Sequence, residues 1–171
     1  MCGFTLVVYK NKKKILINQN VLNHRGPDYT KYIFYKGINL RHWRLSIVDL
    51  SKKSNQPVQN KSFLFAYNGE IYDFKSISKL FLNKKYNSDT LTLFSLLNKF
   101  KNLKILKKFS GFYSYVYLDK KKNEIIFSRD MIGKKFLYYY KDDEKLIISS
   151  EEKGISNLIE PKIDKKALLE Y

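Results

Sequence analysis

The sequence predicts an α+β fold: two antiparallel sheets with helices packed on their outer sides. Three observations carry this. Apolar segments come in the order strands, two helices, strands, not in the alternation of a parallel βαβ sheet. Short β-branched and aromatic runs are separated by turn residues at hairpin spacing. One stretch, 89–100, repeats apolar residues with helical period. The chain has 171 residues, 44% of them hydrophobic and 16% aromatic. That is enough for one core burying roughly 70% of the unfolded surface.

Residues 4–9 are apolar and β-branched and read as a strand, followed by the lysine-rich turn 10–14. Residues 15–17 read as a short return strand or a helix start. Gly26-Pro27-Asp28 breaks regular structure. Segments 32–35 and 38–43 form a hairpin around Lys36-Gly37, and 45–50 is a further apolar segment before the polar loop 51–60. Segment 62–67 is a strand running into Asn68-Gly69, a strong turn signal. A helix over 71–85 would put Phe74, Ile77, Leu80 and Phe81 on one face. Ser88 can cap the next helix and Asp89 suits its positive end. Leu91, Phe94, Leu97 and Phe100, widened by Leu93 and Leu96, form its apolar stripe. Strands at 112–118 and 124–128 flank a turn at 120–123. A second pair follows at 136–140 and 146–150, then a short helix at 151–157 and the start of another at 164–171.

Composition narrows the partners. The net charge is +17, yet arginine occurs only at positions 25, 41, 44 and 129. Recognition of bases and phosphates recruits the arginine fork. The lysines therefore read as solvated faces, and no specific nucleic acid is expected. No apolar run reaches the ~18 residues of a membrane span, and no signal-peptide pattern opens the chain. One cysteine allows no internal disulfide, so cytoplasm is the default compartment. His24 and His42 lack metal-ligand spacing, and no phosphate-binding glycine loop occurs.

The reactive candidate is Cys2. Removal of Met1 would give one residue both a thiol and an α-amine. Their reference pKa values, about 8.5 and 7.7–8.0, make proton transfer between them cost only about 1 kcal/mol. The residue can then supply its own general base. A dyad with His24 or His42 is the alternative, as is an incidental cysteine. A thiolate attacking a carbonyl needs oxyanion donors, and Asn68 with the Gly69 N–H could supply them. It also needs a substrate clamp. Arg44 and Asp89 could pair with a carboxylate and an ammonium, which together describe an amino acid. Taken singly, these are a hairpin turn, a surface charge and a helix-terminal carboxylate.

Together the motifs resemble the glutaminase domain of glutamine-hydrolysing asparagine synthetases, class II glutamine amidotransferases with an amino-terminal nucleophile. The resemblance runs through Met1-Cys2-Gly3, His24-Arg25-Gly26-Pro27-Asp28, Arg44-Leu45-Ser46-Ile47-Val48-Asp49 and Gln56-Pro57. It continues through Asn68-Gly69-Glu70-Ile71-Tyr72, Ser88-Asp89-Thr90, Ser128-Arg129-Asp130 with Gly133 and Leu137-Tyr138-Tyr139, and Ser149-Ser150-Glu151. It spans essentially the whole chain in order.

The resemblance implies a four-layer αββα sandwich of the N-terminal nucleophile hydrolase type, with L-glutamine as substrate. It implies Cys2 as nucleophile and Asn68 and Gly69 as the oxyanion hole. Arg44 would hold the glutamine carboxylate and Asp89 its ammonium. The backbone of Leu45, Ser46, Ile47 and Val48 and the Glu70 region would line the substrate, with Arg25 and Asp28 as structural neighbours. Trp43 stands where the family usually carries a charged residue, and Phe136 where it carries proline. Residues 1–160 are expected to be this domain and 161–171 the start of a linker. Family members continue into a synthetase domain using ATP and Mg²⁺. No cofactor is expected in the glutaminase part, and a separate synthetase is a possible partner. A silent binding or regulatory module and a basic nucleic-acid-binding protein are the rival readings.

Overall fold

Phe4, Leu6 and Val8 project to one side of strand β1 (Gly3–Tyr9), Thr5 and Val7 to the other, and this alternation organises both faces of a sheet. The computed structural model describes residues 1–162 and 165–169. Strands β2 (Tyr29–Tyr35) and β3 (Ile38–Arg44) form the expected hairpin. Lys36 and Gly37 both take positive φ in its turn, and β3 pairs with β1. Further strands are β4 (Val58–Gln59), β5 (Phe63–Ile71), β6 (Gly111–Asp119), β7 (Glu124–Arg129), β8 (Tyr138–Lys141) and β9 (Lys145–Ser149). All pairings between these strands are antiparallel. One sheet has the order β2-β3-β1-β9-β8, the other β4-β5-β6-β7.

The inner faces meet in a core of Phe4, Leu6, Ile33, Leu40 and Ile148 against Leu64, Ala66, Val116 and Leu118. The outer face of the four-stranded sheet is aromatic: Phe63, Phe65, Tyr67, Tyr113, Tyr115 and Tyr117. Helices α1 (Phe74–Leu82) and α2 (Asp89–Phe100) cover it with Ile77, Leu93, Leu96 and Leu97. Each such buried side chain contributes about 1.5–3 kcal/mol. The opposite layer is thin. Ile17, Val21 and Leu22, on chain without long helices, cover Val7, Trp43 and Ile147, joined by the one-turn helix α3 (Lys153–Ser156). Trp43 is fully buried there and donates its Nε1–H to the Gln19 carbonyl at 2.5 Å, which accounts for an indole where the family carries a charge.

Several expectations are corrected. Asn68-Gly69 is not a turn: β5 runs through it to Ile71, so α1 starts only at Phe74. Asn83, at positive φ, ends α1 before Lys85. Leu80 is 77% exposed, and the buried face is Phe74, Ile77 and Ser78. On α2 the buried stripe centres on Leu93, Leu96 and Leu97, while Phe100 is exposed. The Ser88 hydroxyl caps α2 by accepting from Leu91 N–H at 3.2 Å, as expected. Residues 15–17 form neither strand nor helix, and 45–50 is an irregular loop. The last expected helix is α4 (Lys165–Leu169); Asp164 and 170–171 lie outside the described residues. Among the described residues no helix is long and apolar enough to cross a membrane.

His42 sits on the inner face of β3, fully buried, with Nε2 bonded to the Tyr67 carbonyl at 3.1 Å. The carbonyl can only accept, so Nε2 carries the hydrogen. Burial holds the ring pKa down to about 3. The unfolded chain takes up this proton near pH 6.5 and the folded chain does not. Stability is therefore complete above about 6.5 and falls as pH drops toward 3. Between pH 7 and 5 the loss is about 2 kcal/mol. Urea unfolding at both values, with His42→Gln flattening the difference by that amount, checks it.

Candidate active site

Cys2 immediately precedes β1, and Gly3 pairs with Trp43. Arg44 and Leu45, where β3 ends, therefore lie beside the thiol. Cys2 Sγ donates to the Leu45 carbonyl at 3.5 Å and accepts from the Leu45 N–H at 3.4 Å. Across the sandwich, β5 presents Asn68, Gly69 and Glu70, and the start of α2 presents Asp89. One cleft gathers Cys2, Arg44, Leu45, Ile47, Val48, Asn68, Gly69, Glu70 and Asp89. These are nine of the residues singled out in the sequence.

Strand geometry sets the roles open to Asn68 and Gly69. Asn68 continues the inward series Leu64, Ala66, and is 1% exposed. Neither of its amide atoms has a hydrogen-bond partner among the described residues. In an antiparallel pair, successive N–H groups point to opposite edges. The Tyr67 N–H goes to Gln56 Oε1 at 2.7 Å and the Ile71 N–H to Asp89 Oδ2 at 3.3 Å, both away from β6. The Gly69 N–H lies between them on that same cleft-facing edge.

Two of the charged groups in the cleft, Arg44 and Asp89, are buried without a charged partner among the described residues. Arg44 is buried, and its guanidinium donates to the Ser51 carbonyl at 2.8 Å, to Asn55 Oδ1 at 2.5 Å and to the Asp49 carbonyl. All are neutral acceptors. Asp89 is buried and accepts from Thr90 N–H at 2.7 Å, Tyr67 O–H at 3.0 Å and Ile71 N–H. Burial raises its pKa against the pull of those donors. A zwitterion laid between Arg44 and Asp89 would compensate both charges. Burial likewise raises the Cys2 thiol, opposed by the Leu45 N–H, the terminal ammonium and Arg44.

Three singled-out residues lie outside the cleft. Ser46 lines a neighbouring groove, and its N–H is taken by Asp28 Oδ2 at 2.7 Å. Arg25 reaches Cys2 from behind: Nε donates to the Cys2 carbonyl at 3.0 Å, and the guanidinium pairs with Glu151 at 2.8 Å. Glu151 also binds His24, and Ser150 Oγ accepts from the Phe4 N–H at 3.1 Å. The two terminal motifs thus clamp the start of β1. Neither histidine lines the cleft or bonds the thiol, so geometry does not favour a Cys–His dyad.

Sequence reading missed Tyr67, Gln56, Thr90 and Lys135, which also line the cleft. Gln56 was visible in a motif, but nothing local told that its amide would hold β5. Lys135 carried no signal, because one lysine among so many reads as a solvated charge.

The sequence model of the glutamine amidotransferase domain matches residues 1–171. A protein of Methanocaldococcus jannaschii described as putative asparagine synthetase (glutamine-hydrolyzing) 2 is 35% identical over 91% of this chain and 35% of its own length. Asparagine synthetase (glutamine-hydrolyzing) 1 of Bacillus subtilis is 30% identical over 100% of this chain and 29% of its own. The chain thus spans about a third of the length of these relatives. Among solved structures, the glutamine phosphoribosylpyrophosphate amidotransferase of Bacillus subtilis matches with a TM-score of 0.59 over 90% of this chain and 36% of that one. At 17% identity the likeness is one of fold.

Proposed function

The chain belongs to the glutamine amidotransferase domain family, and from that premise we propose that it hydrolyses L-glutamine through a thioester on Cys2. The active species is the chain from which Met1 has been removed. The Cys2 α-amine, directly or through a water, takes the thiol proton. The thiolate attacks the side-chain amide carbon of glutamine, and the carbonyl electron pair moves onto oxygen. Asn68 Nδ2 and the Gly69 N–H hold that oxyanion. Its collapse breaks the C–N bond, and ammonia leaves with the proton carried by the amine. Water then attacks the thioester through a second oxyanion at the same donors, releasing glutamate and the thiol.

Arg44 takes the α-carboxylate and Asp89 the α-ammonium. The observation that carries the reading is the coincidence of three unmet demands around one thiol: an orphan buried amide at Asn68, a cation without an anion at Arg44 and an anion without a cation at Asp89. The relatives' names suggest that the ammonia is delivered to an asparagine-forming synthetase, on the same or a separate chain. ATP and Mg²⁺ would act there and not in this cleft.

Glutamate release by the Met1-free protein, verified by intact mass, is the test. Cys2→Ala is expected to lower it by about 10⁴-fold or more. If folded, processed protein binds glutamine but releases no glutamate, alone or with a synthetase partner, the hydrolase reading is lost.

A further inference from the structure

Lys135 is an unusual lysine for this chain. Most of the others are solvated, but it is 8% exposed and lines the cleft with Cys2. Its backbone is fixed. The N–H groups of Lys134 and Lys135 donate to Asp130 at 2.9 and 3.0 Å, and Asp130 also accepts from Tyr113 N–H on β6 at 3.3 Å. The lysine therefore reaches across from one sheet to the start of the other. Its Nζ touches Met1 Sδ at 2.8 Å, and no carboxylate pairs with it among the described residues. A thioether is a weak acceptor, and a buried ammonium held by one alone is not explained by stability.

We propose that Lys135 is a positioning residue for the nucleophile: with Met1 removed, its ammonium lies beside the Cys2 α-amine, repels a proton from it and leaves it free to accept the thiol's. This rests on the reading of Cys2 as an amino-terminal nucleophile. The groups around the pair are few. The terminal amine of this chain is that of Met1, one residue before the Cys2 nitrogen; burial depresses it, and it faces the Cys2 thiol, Arg25, Lys135 and Glu70. The thiol faces Leu45, Arg44 and Asp89. Glu70 and the thiol favour a protonated amine; the two cations oppose it. Arg25 is already paired with Glu151 and bonded to the Cys2 carbonyl. Lys135 is the cation beside the amine whose charge is not spent on an acid.

Thiol and amine titrate as a coupled pair, so losing the nearby cation raises both midpoints. Cys2 is the only cysteine, and alkylation by iodoacetamide across pH therefore reads this site without any turnover. On Met1-free protein, Lys135→Met and Lys135→Gln are each expected to move the alkylation midpoint up by about one pH unit, with the acidic limb of kcat/KM moving alongside. Lys135→Arg keeps both close to the wild type. Methionine matches the aliphatic stem without a buried charge, and a thermal melt establishes that the variants are folded. Folded Met and Gln variants with unshifted midpoints overturn the proposal. A wild type whose alkylation depends on Lys135 but which releases no glutamate overturns the hydrolase reading and leaves the coupling standing.

Discussion

Replacing Asn68 with leucine is expected to lower glutamine hydrolysis by about 10²–10³-fold while leaving thermal stability unchanged or raised. The two effects have separate causes. For activity, the variant removes one of the two proposed oxyanion donors, and loss of one such donor typically costs that much in kcat. On the proposed reading Arg44 and Asp89 bind the glutamine and are untouched, so KM is expected to move little. For stability, Asn68 is 1% exposed with both amide atoms unpaired. A buried unpaired polar group costs about 1–3 kcal/mol, and an apolar replacement of similar shape removes that cost. Leucine would extend the inward series of Leu64 and Ala66 on the same face of β5. Measured kcat should therefore fall while the urea midpoint holds or rises. A destabilised variant with wild-type kcat would mean that Asn68 serves the fold and not the oxyanion.

That trade marks the boundary of what sequence could tell. The fold was legible because its signals are local and repeated: apolar, β-branched and aromatic runs at β1 and β5, turn residues at Lys36-Gly37, a serine cap before α2. The errors arose where tertiary contacts overrode a local preference. Asn-Gly favours a turn in isolation, yet here β6 pairs along all of 63–71 and holds the dipeptide in a strand. Leu80 fits a helical stripe, but the face of α1 that meets the sheet is that of Phe74, Ile77 and Ser78, which leaves Leu80 outward.

The site was legible in its parts and not in its assembly. Cys2, Arg44, Asn68 and Asp89 each sit in a recognisable motif, but the convergence depends on β1 pairing β3 in one sheet while β5 and α2 approach from the other. The supporting groups are silent in sequence for the same reason. Gln56 acts on Tyr67, Arg25 on the Cys2 carbonyl, and Lys135 on the terminus 134 residues away.

Gly69 should respond in the opposite way to its neighbour. Gly69→Ala is expected to lose about 3 kcal/mol or more of stability, a fall of roughly 6–12 °C in Tm, together with most of the activity. A Cβ at this position would stand 2.3 Å from the Phe112 carbonyl oxygen and 2.7 Å from Tyr113 Cα. Both are backbone atoms of the paired strand, so no rotamer change makes room. Relief requires β5 and β6 to part, and β6 is in turn held by β7. Any such shift also moves the Gly69 N–H from between the anchored N–H groups of Tyr67 and Ile71, and so away from the oxyanion. Trimming the facing side chain with Tyr113→Ala should not restore the variant, because the closest clash is with the Phe112 main chain. Restoration by that second change would show that side-chain crowding, not strand approach, demands glycine. The requirement for glycine and the placing of the second oxyanion donor are on this account one constraint, set by how closely β6 passes β5.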